Sequence, residues 1–147
     1  MPSQQISVAT TVPVATTVPV APERAWALYT DPDAVTRWNF ANDEWHCPSA
    51  SIELRVGGTH TARMEAKDGS FGFDFEGTYT EIDAPRSLTL LLGDGRTSRT
   101  TFHQATDGTF VETTFDADAD TPIEMQRDGW QAILNNYGKL VERVSES

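Results

Sequence analysis

The sequence holds one cysteine, Cys47, and only 11 Lys plus Arg against 22 Asp plus Glu, a formal charge of −11. A single thiol excludes an internal disulfide, which fits a reducing compartment. The acidic excess repels polyanions, and no basic patch offsets it, so nucleic acid and anionic membrane surfaces are not expected partners. No apolar run approaches the roughly 18 residues of a membrane-spanning helix. The opening MPSQQISVATT has neither the cationic nor the apolar segment of a secretory leader. The expectation from these absences is a soluble, cytoplasmic protein. Phosphate-binding glycine loops, a serine-nucleophile elbow and zinc spacings are also missing. Histidines 46, 60 and 103 show no ligand spacing, so neither a metal nor a cofactor is expected.

What is present suits one globular domain. At 147 residues with 38% hydrophobic and 10% aromatic side chains, the chain is long enough to bury roughly 68–70% of its unfolded surface. A core with room for an internal pocket is within its reach. ATTVPV occupies residues 9–14 and recurs at 15–20. Its Val and Thr content predicts extended backbone. Because six is even and strand side chains alternate with period two, either copy presents the same faces. The second copy is expected to be the main first strand, which makes residues 1–14 an N-terminal extension and 15–147 the domain.

Pro22 and Glu23 suit the first turn of a helix, with Ala25, Trp26, Leu28 and Tyr29 on its apolar face. Asp31-Pro32 ends that helix and opens a second, with Asp31 as N-cap, running to about Trp38. A loop is expected from Trp38 to Ala50, followed by an antiparallel meander over 51–116. Its clearest hairpin turns at Asp68-Gly69. Setting Lys67 opposite Ser70 puts Arg63 across from Asp74 and Met64 across from Phe73, with Phe71, Phe73, Phe75 and Met64 on one buried face. The reversed sheet would instead aim Arg63, Glu65, Asp74 and Glu76 at the interior. Further strands are expected at Ser87–Leu92, Thr97–His103 and Phe110–Asp116, with His103 across from Glu112 in one register. Thr121-Pro122-Ile123-Glu124 reads as a capping box opening a long final helix. Trp130, Ile133, Leu134, Tyr137, Leu140, Val141 and Val144 share one of its faces.

The order strand, two helices, six strands, long helix describes an α+β layer architecture. With APERAW (21–26), TDPDAVTRWNFANDEWHCP (30–48), RVGG (55–58), RMEAKDGSFGFDFEGTYTEI (63–82) and EMQRDGWQAILNN (124–136), it resembles the START-like (SRPBCC) superfamily. Within it, the resemblance is to the branch of the activator of heat-shock-protein-90 ATPase homologues and polyketide-cyclase-like proteins. The resemblance implies a helix-grip fold: a curved antiparallel sheet wrapped around a long C-terminal helix, with two short helices between the first and second strands. It also implies a hydrophobic cavity between sheet and helix. His60 and Ala62 stand where relatives carry larger aromatic residues, which implies a roomier and slightly more polar pocket. Gly138 is unexpected in the final helix.

The candidate ligand-binding residues are Trp38, Phe40, Trp45, His60, Met64, Phe73, Phe75, Met125, Trp130, Leu134 and Tyr137. Aromatic and apolar side chains supply contact area for an apolar ligand, while His60 and Tyr137 offer polar atoms within it. The leading expectation is binding of a small hydrophobic molecule. Alternatives are a polyketide-cyclase-type enzyme with His60 or Tyr137 handling protons, or a chaperone-interaction module. The latter is weakened because the ATPase activator itself carries a further N-terminal domain. His46-Cys47 is a weak nucleophile or metal motif in isolation. Gly129, in the middle of a helix, signals close approach of that helix to the sheet or to a ligand.

Overall fold

The computed structural model describes residues 11–145. β1 (Thr11–Val18) leads into α1 (Pro22–Thr30) and α2 (Pro32–Val35). A meander follows: β2 (Trp45–Ile52), β3 (Thr59–Ala66), β4 (Gly72–Asp83), β5 (Ser87–Leu92), β6 (Thr97–Ala105) and β7 (Gly108–Asp116). α3 (Ile123–Ser145) closes the chain. The strands form one antiparallel sheet in the order β1-β7-β6-β5-β4-β3-β2. The expected α+β helix-grip architecture, with two short helices between the first and second strands, is the one observed.

β1 straddles the two ATTVPV copies instead of lying in the second. Thr11 pairs with Asp116 and Val18 with Thr109, and Val12, Val14 and Val18 all enter the core. Period-two alternation explains how: the valines at 12, 14 and 18 keep one face across the junction of the copies. Residues 11–14 are therefore paired sheet and not an appendage, while residues 1–10 of the expected extension lie outside the described residues.

β1 is an edge strand, and α3 covers that edge through one side chain. The Ala15 N–H donates to Gln131 Oε1 (3.2 Å) and Gln131 Nε2 donates to the Ala15 carbonyl (2.8 Å). Backbone groups two residues apart point the same way along a strand, so Pro13, which has no N–H, sits with its nitrogen toward this free side. The opposite edge, β2, begins earlier than expected, inside the anticipated loop. Its pairing with β3 is irregular between His46 and Ser49. Pro48 lies at that irregularity, where a missing donor does least harm.

The Asp68-Gly69 hairpin has the expected register, with Arg63 opposite Asp74 and Met64 opposite Phe73. Gly69 takes φ +79°, a region favouring glycine. The Arg63 guanidinium lies 3.4 Å from Asp74 and 2.9 Å from Glu65. These charges occupy the outer face, which settles the orientation of the sheet in favour of the aromatic side facing inward. Two of the expected buried aromatics depart from that place: Phe71 precedes β4, at the turn, and is 60% exposed, and Phe73 is 41% exposed. His103 pairs with Phe110, and Glu112 pairs with Thr101.

Asp31 caps α2 as expected, its Oδ2 accepting from the Ala34 N–H (2.9 Å). α2 is shorter than expected and ends at Val35, with a turn carrying the chain to Trp38. The approach to α3 is tied by Gln126, whose Nε2 donates to the carbonyls of Asp118 (2.9 Å) and Thr121 (2.7 Å). Gly129 meets no neighbour within 4 Å of where a Cβ would stand, so it marks no close approach. Gly138 does: a Cβ there would lie 3.2 Å from Thr16 Oγ1. The C-terminal half of α3 is thereby drawn onto β1, and Leu140 and Val141 are buried there. Its N-terminal half stands off from β3, β4 and β5, leaving space between helix and sheet.

Candidate functional site

That space is a cavity of about 300 Å³. β3 and β4 contribute His60, Met64, Phe73, Phe75 and Tyr79; β5 contributes Leu88 and Leu90. α3 closes the opposite side with Trp130, Ile133 and Leu134, and Tyr29, Trp38 and Asn39 form one end. Val14, Arg96, Ser98 and Thr113 complete the lining. Its volume falls at the small end of the range for ligand sites, and its walls are mostly apolar with few polar groups.

Of the candidate residues, Trp38, His60, Met64, Phe73, Phe75, Trp130 and Leu134 come together around this cavity, and four do not. Met125 is 64% exposed, because five residues separate it from Trp130, a rotation of about 140° around the helix. Tyr137 shares Trp130's face but lies two turns further on, under α1. It is fully buried there, and its hydroxyl donates to the Ala25 carbonyl (2.6 Å). Phe40 packs against the core, and its carbonyl accepts from Asn136 Nδ2. Trp45 lies on edge strand β2 against Phe71 and Phe73, each at 6.0 Å between ring centroids. Phe71 and Phe73 are themselves 5.9 Å apart. Since Phe73 also lines the cavity and is 41% exposed, this aromatic trio runs continuously from the surface into the cavity wall.

Most polar groups of the lining are already engaged. The hydroxyls of Tyr29, Thr100 and Thr113 form a chain, at 3.2 Å and 2.8 Å. The Trp38 indole N–H donates to the Leu28 carbonyl (3.2 Å). Asn39 Nδ2 lies 3.6 Å from the Met64 sulfur. Arg96 donates to Asp94 (2.7 Å) and to the Asp116 carbonyl (3.3 Å). His60 Nδ1 lies 3.0 Å from the Tyr79 hydroxyl. Burial lowers the His60 pKa to about 4, so the ring is neutral at neutral pH. Burial likewise pushes the Tyr79 and Tyr137 hydroxyls up, and both stay protonated.

The His46-Cys47 pair is divided by the strand. His46 faces outward near Glu65 (3.7 Å), whereas Cys47 is buried, its Sγ donating to the Ser49 carbonyl (3.4 Å). Burial raises the Cys47 pKa, which removes thiolate character. Among the described residues, no three His, Cys, Asp or Glu side chains form a group able to hold a metal ion. None of the described helices is long and apolar enough to cross a membrane.

Sequence reasoning missed Val14, Tyr29, Asn39, Tyr79, Leu88, Leu90, Arg96, Ser98, Thr113 and Ile133 as lining. Tyr79 carried a usable signal: it continues the series 73, 75, 77, 79 on one face of β4. Ser98 carried a weaker one, since it shares a face of β6 with Thr100 and Phe102 but is small and polar.

The profile of the family described as activator of Hsp90 ATPase homolog 1-like protein matches residues 19–142. Among solved structures, the AHSA1-like protein from Aeromonas hydrophila is 37% identical with a TM-score of 0.88, covering 94% of this chain and 96% of that one. A protein from Cytophaga hutchinsonii is 38% identical with a TM-score of 0.76, covering 94% of each chain. A protein from Chromobacterium violaceum, 21% identical with a TM-score of 0.79, covers 90% of this chain and 98% of its own and shares the fold. None of the curated proteins matches this chain. With a family profile spanning most of its length and relatives of this identity over nearly all of it, the chain belongs to the activator of Hsp90 ATPase homolog 1-like family of the START-like superfamily.

Proposed function

We propose that the protein binds a small, predominantly apolar molecule in the cavity between its sheet and α3. The observation that carries this is the cavity itself, about 300 Å³ kept open by a helix whose N-terminal half does not close onto the sheet. A family fold that generally serves ligand binding supports the same reading. The trio of half-buried Trp45 with exposed Phe71 and Phe73 forms an apolar approach to the cavity, because Phe73 belongs to both. A chaperone-interaction module would be better served by a filled core beside an isolated apolar patch.

The test is native mass spectrometry of protein purified from its own host, followed by thermal-shift screening against fatty acids, other lipids and aromatic polyketides. The expected result is a co-purified mass of a few hundred daltons or a clear rise in Tm with at least one class, since a ligand at 100 times its Kd stabilises by about 2.7 kcal/mol. Neither a co-purified mass nor a shift anywhere in the set would overturn the proposal.

A further inference from the structure

His60 is 8% exposed and Tyr79 2% exposed, and both line the cavity. Among the described residues their only side-chain hydrogen bond is to each other, at 3.0 Å. A neutral imidazole has one N–H and one acceptor nitrogen, and a phenol has one O–H donor and an accepting oxygen. If the Tyr79 O–H donates to Nδ1, the N–H at Nε2 and the Tyr79 oxygen remain free. If the Nδ1 N–H donates to Tyr79, the Tyr79 O–H and the Nε2 lone pair remain free. Either tautomer therefore leaves one donor and one acceptor without a protein partner, inside an apolar wall where unmade hydrogen bonds are costly.

No other polar pair of the lining has this character. The hydroxyls of Tyr29, Thr100 and Thr113 pair among themselves, and the Trp38 indole has Leu28. Ser98 is the one buried polar residue whose side chain makes no hydrogen bond among the described residues. Tyr79 pairs with Leu90 and Leu90 with Ser98, so Ser98 stands two strands from Tyr79 on the same face, about 10 Å away by the strand spacing.

We infer that the His60–Tyr79 pair is the specificity-determining contact of the cavity, selecting an apolar, ring-sized molecule that carries a hydroxyl group. This rests on the cavity being the ligand site proposed above. A hydroxyl both donates and accepts, so at the Nε2 of His60 or at the Tyr79 oxygen it meets whichever group, donor or acceptor, the tautomer leaves free there. An ether or ketone oxygen meets only the donor, and a hydrocarbon meets neither. A carboxylate is disfavoured, because no cationic group faces the pair and Arg96, the cation of the lining, is held by Asp94.

The experiment compares naphthalene with 1-naphthol and 2-naphthol by calorimetry on the full chain and on the double variant His60→Leu/Tyr79→Phe. Nitrogen-15 spectra of the His60 ring are recorded in the unsubstituted protein. Binding of at least one naphthol about tenfold tighter than naphthalene is expected, the worth of one or two well-made hydrogen bonds. That preference should vanish in the double variant while naphthalene binding persists, and the naphthol alone should move the Nε2 resonance. The spectra and the unsubstituted protein's preference hold even if the double variant does not fold. Equal affinities for naphthalene and both naphthols, or a preference that survives in the double variant, would overturn this inference and leave the apolar site standing. Failure of all three compounds to bind would count against the site itself, and the inference would fall with it.

Discussion

Trp130 of α3 stacks on Phe115 of β7 with ring centroids 4.4 Å apart and planes 7° from parallel. Phe75 stands edge-on to the same indole at 6.2 Å. The cavity-facing helix thus rests on the sheet through one indole that touches strands at both sides of the space. At the start of the same helix, Ile123 and Met125 are exposed.

Replacing Trp130 with alanine should therefore loosen the helix where it bounds the cavity. A fully buried Trp→Ala change costs about 3–5 kcal/mol, and for this half-buried ring about 2 kcal/mol is expected. Urea denaturation measures it as a lowered midpoint. A double-mutant cycle with Phe115→Leu should return a coupling of about 0.5–1.5 kcal/mol, the worth of an aromatic pair beyond its buried area. Additive effects would show that the stack contributes nothing of its own.

Gln131 should behave as a structural residue despite lying on a solvent-flanked part of the helix. Gln131→Leu leaves the Ala15 N–H and carbonyl without the side-chain amide that now engages both. A loss of about 1–2 kcal/mol is expected. Hydrogen exchange gives the more specific readout, since the Ala15 amide should exchange much faster in the variant while amides of the β3–β4 ladder keep their protection.

The two helix glycines should respond in opposite ways to alanine. Gly129→Ala enters open space and should stabilise the protein by about 0.5–1 kcal/mol through helix propensity. Gly138→Ala must fit a methyl 3.2 Å from Thr16 Oγ1, which offsets that gain and leaves stability unchanged or lower. Thr16→Ala in the Gly138→Ala background should then restore the propensity benefit. Equal stabilisation by both glycine substitutions would show that β1 tolerates the added atom freely.

The same contrast shows what the sequence could and could not reveal. Local chemistry is legible when cause and effect lie close together. Asp31 caps α2, Asp68-Gly69 turns the hairpin, and the turn fixes Met64 opposite Phe73. The positions that shape the site depend on partners far along the chain. Gly138 matters because of Thr16, and Tyr137 misses the cavity because α1 covers it and takes its hydroxyl. Met125 is apolar and helical yet faces away, because facing is set by rotation about the axis and not by proximity in sequence.

Histidine 60 makes a prediction that needs no ligand. Its folded pKa is about 4, against about 6.5 for an unperturbed imidazole. Between these values the unfolded chain binds a proton at this residue that the folded chain does not, so stability rises with pH across the window. Its favourable contribution is complete above about pH 6.5, declines as pH falls and is gone below about pH 4. The span of about 2.5 units corresponds to about 3 kcal/mol as an order of magnitude. Carboxylates titrate in the lower part of the same range, so the comparison is with His60→Gln, which keeps polar atoms but cannot titrate. The difference in stability between the two proteins, followed by urea denaturation at intervals from pH 4 to 7, should grow in favour of the histidine form as pH rises. A difference independent of pH would mean that the imidazole is hydrated enough in the folded state to take up its proton normally, and the cavity would then be far wetter around the His60–Tyr79 pair than its apolar walls imply.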